Sequence, residues 1–184
     1  MQSPSRLYTV GRLVALLLLF SALPLQAEVN IWMTTEEFLE SAFVDATYEP
    51  QVLWITPDLR NELETALDRS YSGIRIRYWG NGVRSAWILE QIGKERLITA
   101  GFVTEGQQMV FAKVLEYRES RGGEVRYDSF LNQFLGIQLN HKQELDSHID
   151  GITGATLSVW SMQEMATAAL LLEKYASQRS LAQL

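Results

Sequence analysis

The sequence predicts an α+β fold in which an antiparallel β-meander is packed by flanking helices. Three observations predict it. Apolar residues recur at helical spacing before Ser72 and again after Thr156, they alternate at a period of two between Ile74 and Tyr117, and short glycine-bearing turns separate the alternating runs. Strands joined by such short turns can only return antiparallel, because a parallel neighbour needs a long crossover.

The elements follow in order. In Thr34-Thr35-Glu36-Glu37-Phe38-Leu39 a hydroxyl precedes two acids and an apolar pair, which predicts a helix start and a short helix to about Phe43. Thr56-Pro57-Asp58-Leu59 offers a second start, with Pro57 suited to the first turn and Leu59, Leu63 and Leu67 four apart on one face, ending near Ser72-Gly73. Residues 28–72 are therefore expected to form an N-terminal helical segment. Ile74, Ile76 and Tyr78 then alternate with Arg75 and Arg77, Gly80-Asn81-Gly82 turns the chain, and Val83 to Gln91 returns. Gly93-Lys94-Glu95 makes the next turn, Leu97 to Thr104 the next strand, and Glu105-Gly106 leads into Met109 to Tyr117. The meander should have about four strands.

Beyond it, the charged, glycine-bearing stretch from Arg118 to Arg126 reads as a loop. A short helix is expected over Ser129 to Leu135, stopped by Gly136. In the final helix Val159, Met162, Ala166 and Ala169 recur at spacings of three and four, and good helix formers continue to about Tyr175. A main domain over residues 73–178 and a tail over 179–184 complete the organisation.

The N-terminus looks like an address. Arg6 and Arg12 precede the apolar run Leu13 to Phe20, and the segment closes on Ala22-Leu23-Pro24-Leu25-Gln26-Ala27 before Glu28. That is the pattern of a secretory signal peptide over residues 1–27, with cleavage expected after Ala27. The run is shorter than the roughly 20 residues that span a hydrocarbon core, although an uncleaved signal would still serve as an anchor. The expected location is the periplasm or the outer face of the inner membrane. The chain contains 0 Cys, which excludes disulfides, thiolate zinc sites, iron–sulfur clusters and thiol redox chemistry. A net charge of −6 argues against nucleic acid as a partner.

Candidate chemistry stands immediately before the final helix, at Asp150-Gly151-Ile152-Thr153-Gly154-Ala155-Thr156. The first N–H groups of a helix lack intrahelical partners and lie at the positive end of its dipole, so an anion is stabilised there. Gly154 and Ala155 permit close approach to the backbone. The residues alone suit either a phosphate-bearing ligand or an ordinary capped loop.

The run resembles the flavinylation motif Asp-x-x-Ser/Thr-Gly-Ala-Thr/Ser of the FMN-binding domain family, found in a subunit each of sodium-pumping NADH:quinone reductase and of the related ferredoxin-linked complex. Asp150, Thr153, Gly154, Ala155 and Thr156 meet every fixed position. The resemblance extends over roughly Ile74 to Tyr175, through Ile92-Gly93-Lys94-Glu95, the stretch Tyr117 to Arg126 and Gln133-Phe134-Leu135-Gly136, and is to a compact branch of the family. The respiratory members carry His-x-Glu-Thr-Pro-Gly where this chain has Tyr117-Arg118-Glu119-Ser120-Arg121-Gly122, a departure that separates it from the sodium-pumping complexes.

The resemblance implies FMN held by a phosphoester bond on the Thr156 oxygen, transferred from FAD by a separate magnesium-dependent flavin transferase. It implies an electron carrier between membrane redox partners, with no dedicated small substrate, no catalytic residue and no resident metal. Lys94, Arg118 and Arg121 are candidate cations beside the flavin, each also readable as a solvated surface charge. Glu119 is a candidate for hydrogen bonds to the ring or ribityl chain, or for closing the Gly122-Gly123 turn. Asp150 either serves the transferase and its metal or caps the turn through the Gly151 and Ile152 amides. Thr153 and Ser158 are candidate helix-start hydroxyls, and Leu157 lies between Thr156 and Ser158. Phe134 suits ring packing or the core. Of five Trp, only Trp160 stands one turn from Thr156, and His141 and His148 are too few for a metal site. The alternatives are a non-covalent FMN or phosphate-ligand module, in which Thr156 is only a cap, and a cofactor-free interaction domain.

Overall fold

The computed structural model describes residues 30–67 and 69–181. The expected signal peptide, residues 28 and 29 after it and the last three residues of the tail lie outside the described residues.

The meander is present and larger than the alternation predicts. Strands β3 (Arg75–Gly80), β4 (Arg84–Ile92), β5 (Leu97–Glu105) and β6 (Gln108–Tyr117) run in sequence, with β1 (Asn30–Ile31) beside β6 and β2 (Glu49–Trp54) beside β3. All six strands are antiparallel, in the order β1-β6-β5-β4-β3-β2. The segment expected to be wholly helical thus supplies both edges of the sheet. β2 escapes the sequence pattern because of its six residues only Leu53 is buried, and β1 is two exposed residues long. An edge strand that buries one side chain carries no period to read.

Helices cover both faces. α1 (Thr35–Ala42) starts in the expected capping box, with Thr34 and Glu37 exchanging side-chain and backbone hydrogen bonds, and places Phe38, Leu39 and Ala42 on Ala86, Val103 and Leu115. α2 (Pro57–Leu67) lays Leu59, Leu63 and Leu67 on the opposite face, beside the long α4 (Thr156–Leu181). The larger core lies there, built on Trp87, Phe102, Met109, Phe134 and the α4 residues Met162, Ala166 and Leu170.

The expected helix over Ser129 to Leu135 divides into α3 (Asp128–Leu131) and a 3-10 turn, Asn132–Phe134. Gly136 ends the segment at φ 85°. α4 runs past Tyr175 into the expected tail, because Ala176 remains buried against the core and holds the next turn in register.

Close approach of α1 to the sheet depends on Gly101. A Cβ there would stand 2.4 Å from the ring of Phe38, which is itself fully buried. Gly101→Ala should therefore destabilise the protein by about 1–3 kcal/mol through overpacking. A urea titration should show a lower midpoint at an unchanged slope.

Candidate functional site

The site is assembled where the start of α4 meets two loops of the meander. Ala155 is the residue before the helix and accepts its first hydrogen bond, Val159 N–H to Ala155 O at 3.0 Å. Alanine has no side-chain oxygen, so it cannot cap the first-turn amides. Among the described residues no side chain accepts from the N–H of Thr156, Leu157 or Ser158. The Thr156 side chain is exposed, and no hydrogen bond among the described residues engages its hydroxyl. Gly154 enters the helix at φ 82°, in the left-handed region, with open space where a Cβ would be.

The residues before the helix are anchored from below. Ile149 is buried, Ile152 packs on the main core, and Asp150 N–H donates to Gln133 Oε1 at 2.7 Å. The motif is thus pinned at its start and open at its end.

The opposite wall is the β4–β5 turn and the segment after β6. Glu119 joins the two, because its Oε1 accepts from three successive amides, Lys94 at 2.5 Å, Glu95 at 2.6 Å and Arg96 at 2.9 Å. Burial pushes its carboxyl up, but the amides of Arg96, Glu95 and Lys94, with the Lys94 charge, outweigh that and leave it below the ordinary value. Tyr117 joins this wall to the helix. Its hydroxyl donates to Arg121 O at 2.5 Å and lies 3.0 Å from Ser158 Oγ. With the tyrosine proton committed to Arg121, the serine hydroxyl is the donor to Tyr117. Burial raises the Tyr117 pKa, offset in part by Ser158, so the phenol keeps its proton.

Gly122 allows this junction to close. It sits at φ 82°, and a Cβ would stand 2.9 Å from Tyr117 Oη and 3.0 Å from the Ala155 Cβ. Small residues on both sides, Gly122 and Ala155, set the spacing between loop and helix.

The result is a cleft of about 580 Å³ lined by Lys94, Glu95, Glu119, Ser120 and Arg121 on one side and Gly154, Ala155, Thr156, Leu157 and Ser158 on the other. Thr153 lies in an adjoining cleft of about 420 Å³ that shares Ser120, Arg121 and Gly154 and adds Arg126 and Tyr127. The structure therefore brings Thr156, Gly154, Ala155, Leu157, Ser158, Glu119, Arg121 and Lys94 together, with Thr153 beside them.

Other candidates are placed elsewhere. The Asp150 carboxylate is 86% exposed and lies 3.8 Å from His148 Nε2, and among the described residues it makes no bond to the Gly151 or Ile152 amide. Arg118 pairs with Glu116, stands 3.9 Å from Glu90 and donates to Thr99 Oγ1 at 3.1 Å, so the sheet takes up its charge. Glu119 closes the β4–β5 turn and not the Gly122-Gly123 turn. Phe134 is fully buried between Phe102 and Phe130, which assigns it to the core. Trp160 is exposed and borders a different cleft, with Ile149 and Glu164. Both histidines are exposed.

Ser120 and Glu95 line the cleft, and Tyr117 organises it, without having been marked by the sequence. Ser120 and Glu95 stand in segments that carry the resemblance, but nothing in their own residue types beyond a loop composition points to the cleft. Tyr117 had one, because it ends β6 on the core-facing side, where a phenol needs a polar partner.

The residues fit a flavin phosphate. An accessible hydroxyl stands on an uncapped helix start of 26 residues, with Lys94 and Arg121 on the facing wall. Residues 97–171 match the model of the FMN-binding domain family. No curated protein matches the chain. The matched residues hold β5, β6, the connecting loop and most of α4, so this part of the chain is similar to the FMN-binding domain family, and the match supports a role in binding flavin.

The Glu119 bridge gives a pH signature. A depressed folded-state pKa contributes stability that is present above the unfolded value, near the ordinary 4.5, and is lost as pH falls through the folded value. Wild type should exceed Glu119→Gln in stability at neutral pH, with the gap holding down to the unfolded value near 4.5 and closing as pH falls below it. Chemical denaturation at a series of pH values measures it, and a gap independent of pH would refute the bridge.

Proposed function

We propose that this domain carries FMN covalently, by a phosphoester bond to the Thr156 oxygen, and relays electrons between redox partners outside the cytoplasm. The single observation that carries the reading is the exposed, unengaged Thr156 hydroxyl on the uncapped first turn of α4, inside a segment that matches the FMN-binding domain family. When bound, the flavin supplies the electron-carrying chemistry, through an isoalloxazine ring that a phosphoester linkage leaves unmodified.

The chain's own residues hold and orient. In the attachment step the Thr156 oxygen forms its bond to the flavin-side phosphorus of FAD, the bond between the two phosphates breaks, AMP leaves, and the hydroxyl proton passes to the flavin transferase or to water. The first-turn amides of α4 would hold the phosphate, stabilising its charge at the positive end of the helix. Lys94 and Arg121 contribute positive charge on the facing wall, favouring added negative charge on the cofactor. The exposed Asp150 carboxylate stands a few residues before the acceptor hydroxyl. A carboxylate there repels phosphate unless a cation intervenes, which suits it to the transferase and its magnesium ion during attachment.

Export is supported by the basic start, apolar run and small-residue break of residues 1–27. A membrane-bound redox partner is part of the same proposal. The second reading is a non-covalent FMN or phosphate-ligand module, favoured by the same uncapped helix start, in which Thr156 serves only that turn.

Protein co-produced with a flavin transferase and exported should carry yellow fluorescence that stays with the polypeptide on a denaturing gel. Thr156→Ala should abolish it while leaving the fold, since the exposed hydroxyl makes no hydrogen bond among the described residues and alanine is a good helix former. Thr156→Ser should retain it. Flavin that leaves the wild-type chain on denaturation would favour the non-covalent module, and covalent flavin persisting in Thr156→Ala would move the attachment site.

A further inference from the structure

At the opposite end of the molecule a buried carboxylate lines a second cleft. Glu173 lies on α4, about 26 Å along the helix from Thr156 at 1.5 Å per residue, and is only 6% exposed. Its partners are hydroxyls. Ser177 Oγ lies 2.7 Å from Oε1 and Thr104 Oγ1 3.1 Å from Oε2, and Thr104 in turn accepts from the Trp87 indole N–H at 3.2 Å. Among the described residues no cation stands within ion-pair distance of Glu173. Lys174 is committed to Glu62 at 2.8 Å, and Arg179 is exposed. A carboxylate taken out of water without a cation is a costly arrangement.

The carboxylate borders space. A cleft of about 420 Å³ reaches it between the β3–β4 and β5–β6 turns, with Ser177, Tyr78, Gln51 and Ser85 also on its walls. The Tyr78 hydroxyl donates to Gln51 Oε1 at 2.6 Å, so its oxygen still offers lone pairs to the cleft. Glycines at 80, 82 and 106 keep the entrance clear, and a Cβ at 82 or 106 would meet nothing within 4 Å. No lysine or arginine is among the residues that line the cleft, so a buried negative group faces it without a cation. The volume exceeds that of a bare ion and suits a small organic group.

We propose that this cleft binds the primary ammonium group of a small ligand, with Glu173 as its counter-ion and the Ser177 and Tyr78 oxygens as further acceptors. An ammonium brings three N–H donors and one positive charge, which match the acceptors and the charge deficit together. The site is separate from the flavin cleft and does not depend on flavin.

The test uses the exported chain without flavin and reads the Trp87 indole N–H resonance during titration with n-propylammonium chloride, against tetramethylammonium chloride at equal ionic strength. A saturable shift with propylammonium, absent with the quaternary ion, is expected. Glu173→Gln should weaken binding at least tenfold and Ser177→Ala several-fold. Ser177→Ala carries the test alone if the glutamine variant does not fold. No saturable shift, equal shifts with both ions, or undiminished binding in the folded variants would overturn the proposal and leave Glu173 as a structural link between α4 and the sheet.

Discussion

The site depends on one hydroxyl junction, in which Tyr117 donates to Arg121 O while accepting from Ser158. The end of β6, the loop directly after it and the first turn of α4, which lies 41 residues further along the chain, meet at a single phenol oxygen. Because the contact is buried, any shift of the loop would leave a polar group unsatisfied, a cost of about 1–3 kcal/mol. The loop wall of the cleft is thereby held to the helix wall. Glu119 makes the parallel connection to the β4–β5 turn through three amides. Rigid spacing across the cleft comes from these two links, and the sheet provides the platform that both stand on.

The platform explains why so small a domain can fix a helix start. α4 is buried along much of its length against the main core, from Val159 to Ala176. Its axis is set by hydrophobic packing, which leaves the first turn free of structural duty. That freedom is visible in the residue types, with alanine and not a hydroxyl or acid before the helix, and an exposed threonine as its first residue. Local signals for helix stability are weak here, and tertiary packing overrides them.

Legibility in the sequence followed the range of each interaction. The four central strands and the three main helices were readable because each buries a periodic set of side chains, such as Leu59, Leu63 and Leu67. The edge strands were not, since β2 buries Leu53 alone. The attachment loop was readable as a short contiguous run, and its facing residues Lys94 and Arg121 came with it. What each side chain touches was less legible. Arg118 and Arg121 are neighbours of one type, yet a strand-end position turns the first toward Glu116 and Glu90 while the loop turns the second into the cleft. Glu119 reaches a turn more than twenty residues away, a contact that no local pattern announces. Phe134 and Trp160 are both aromatic and close to the motif in sequence, but burial separates them completely.

The proposed covalent attachment also accounts for the uncapped helix. A side-chain cap at residue 155 would be worth about 1 kcal/mol to the apoprotein, and it would occupy the amides that a phosphate on Thr156 would otherwise face. Alanine gives up that stability and, being small, lets Gly122 approach closely enough for the Tyr117 junction to form. A phosphate fixed on the next residue would then supply the missing acceptor from a position that requires no diffusion. Reversible occupancy falls by mass action whenever the free cofactor drops below its dissociation constant, whereas a tethered one does not. The same residue choice thus serves loop packing, accessibility of the hydroxyl to a modifying enzyme, and stabilisation of the modified state.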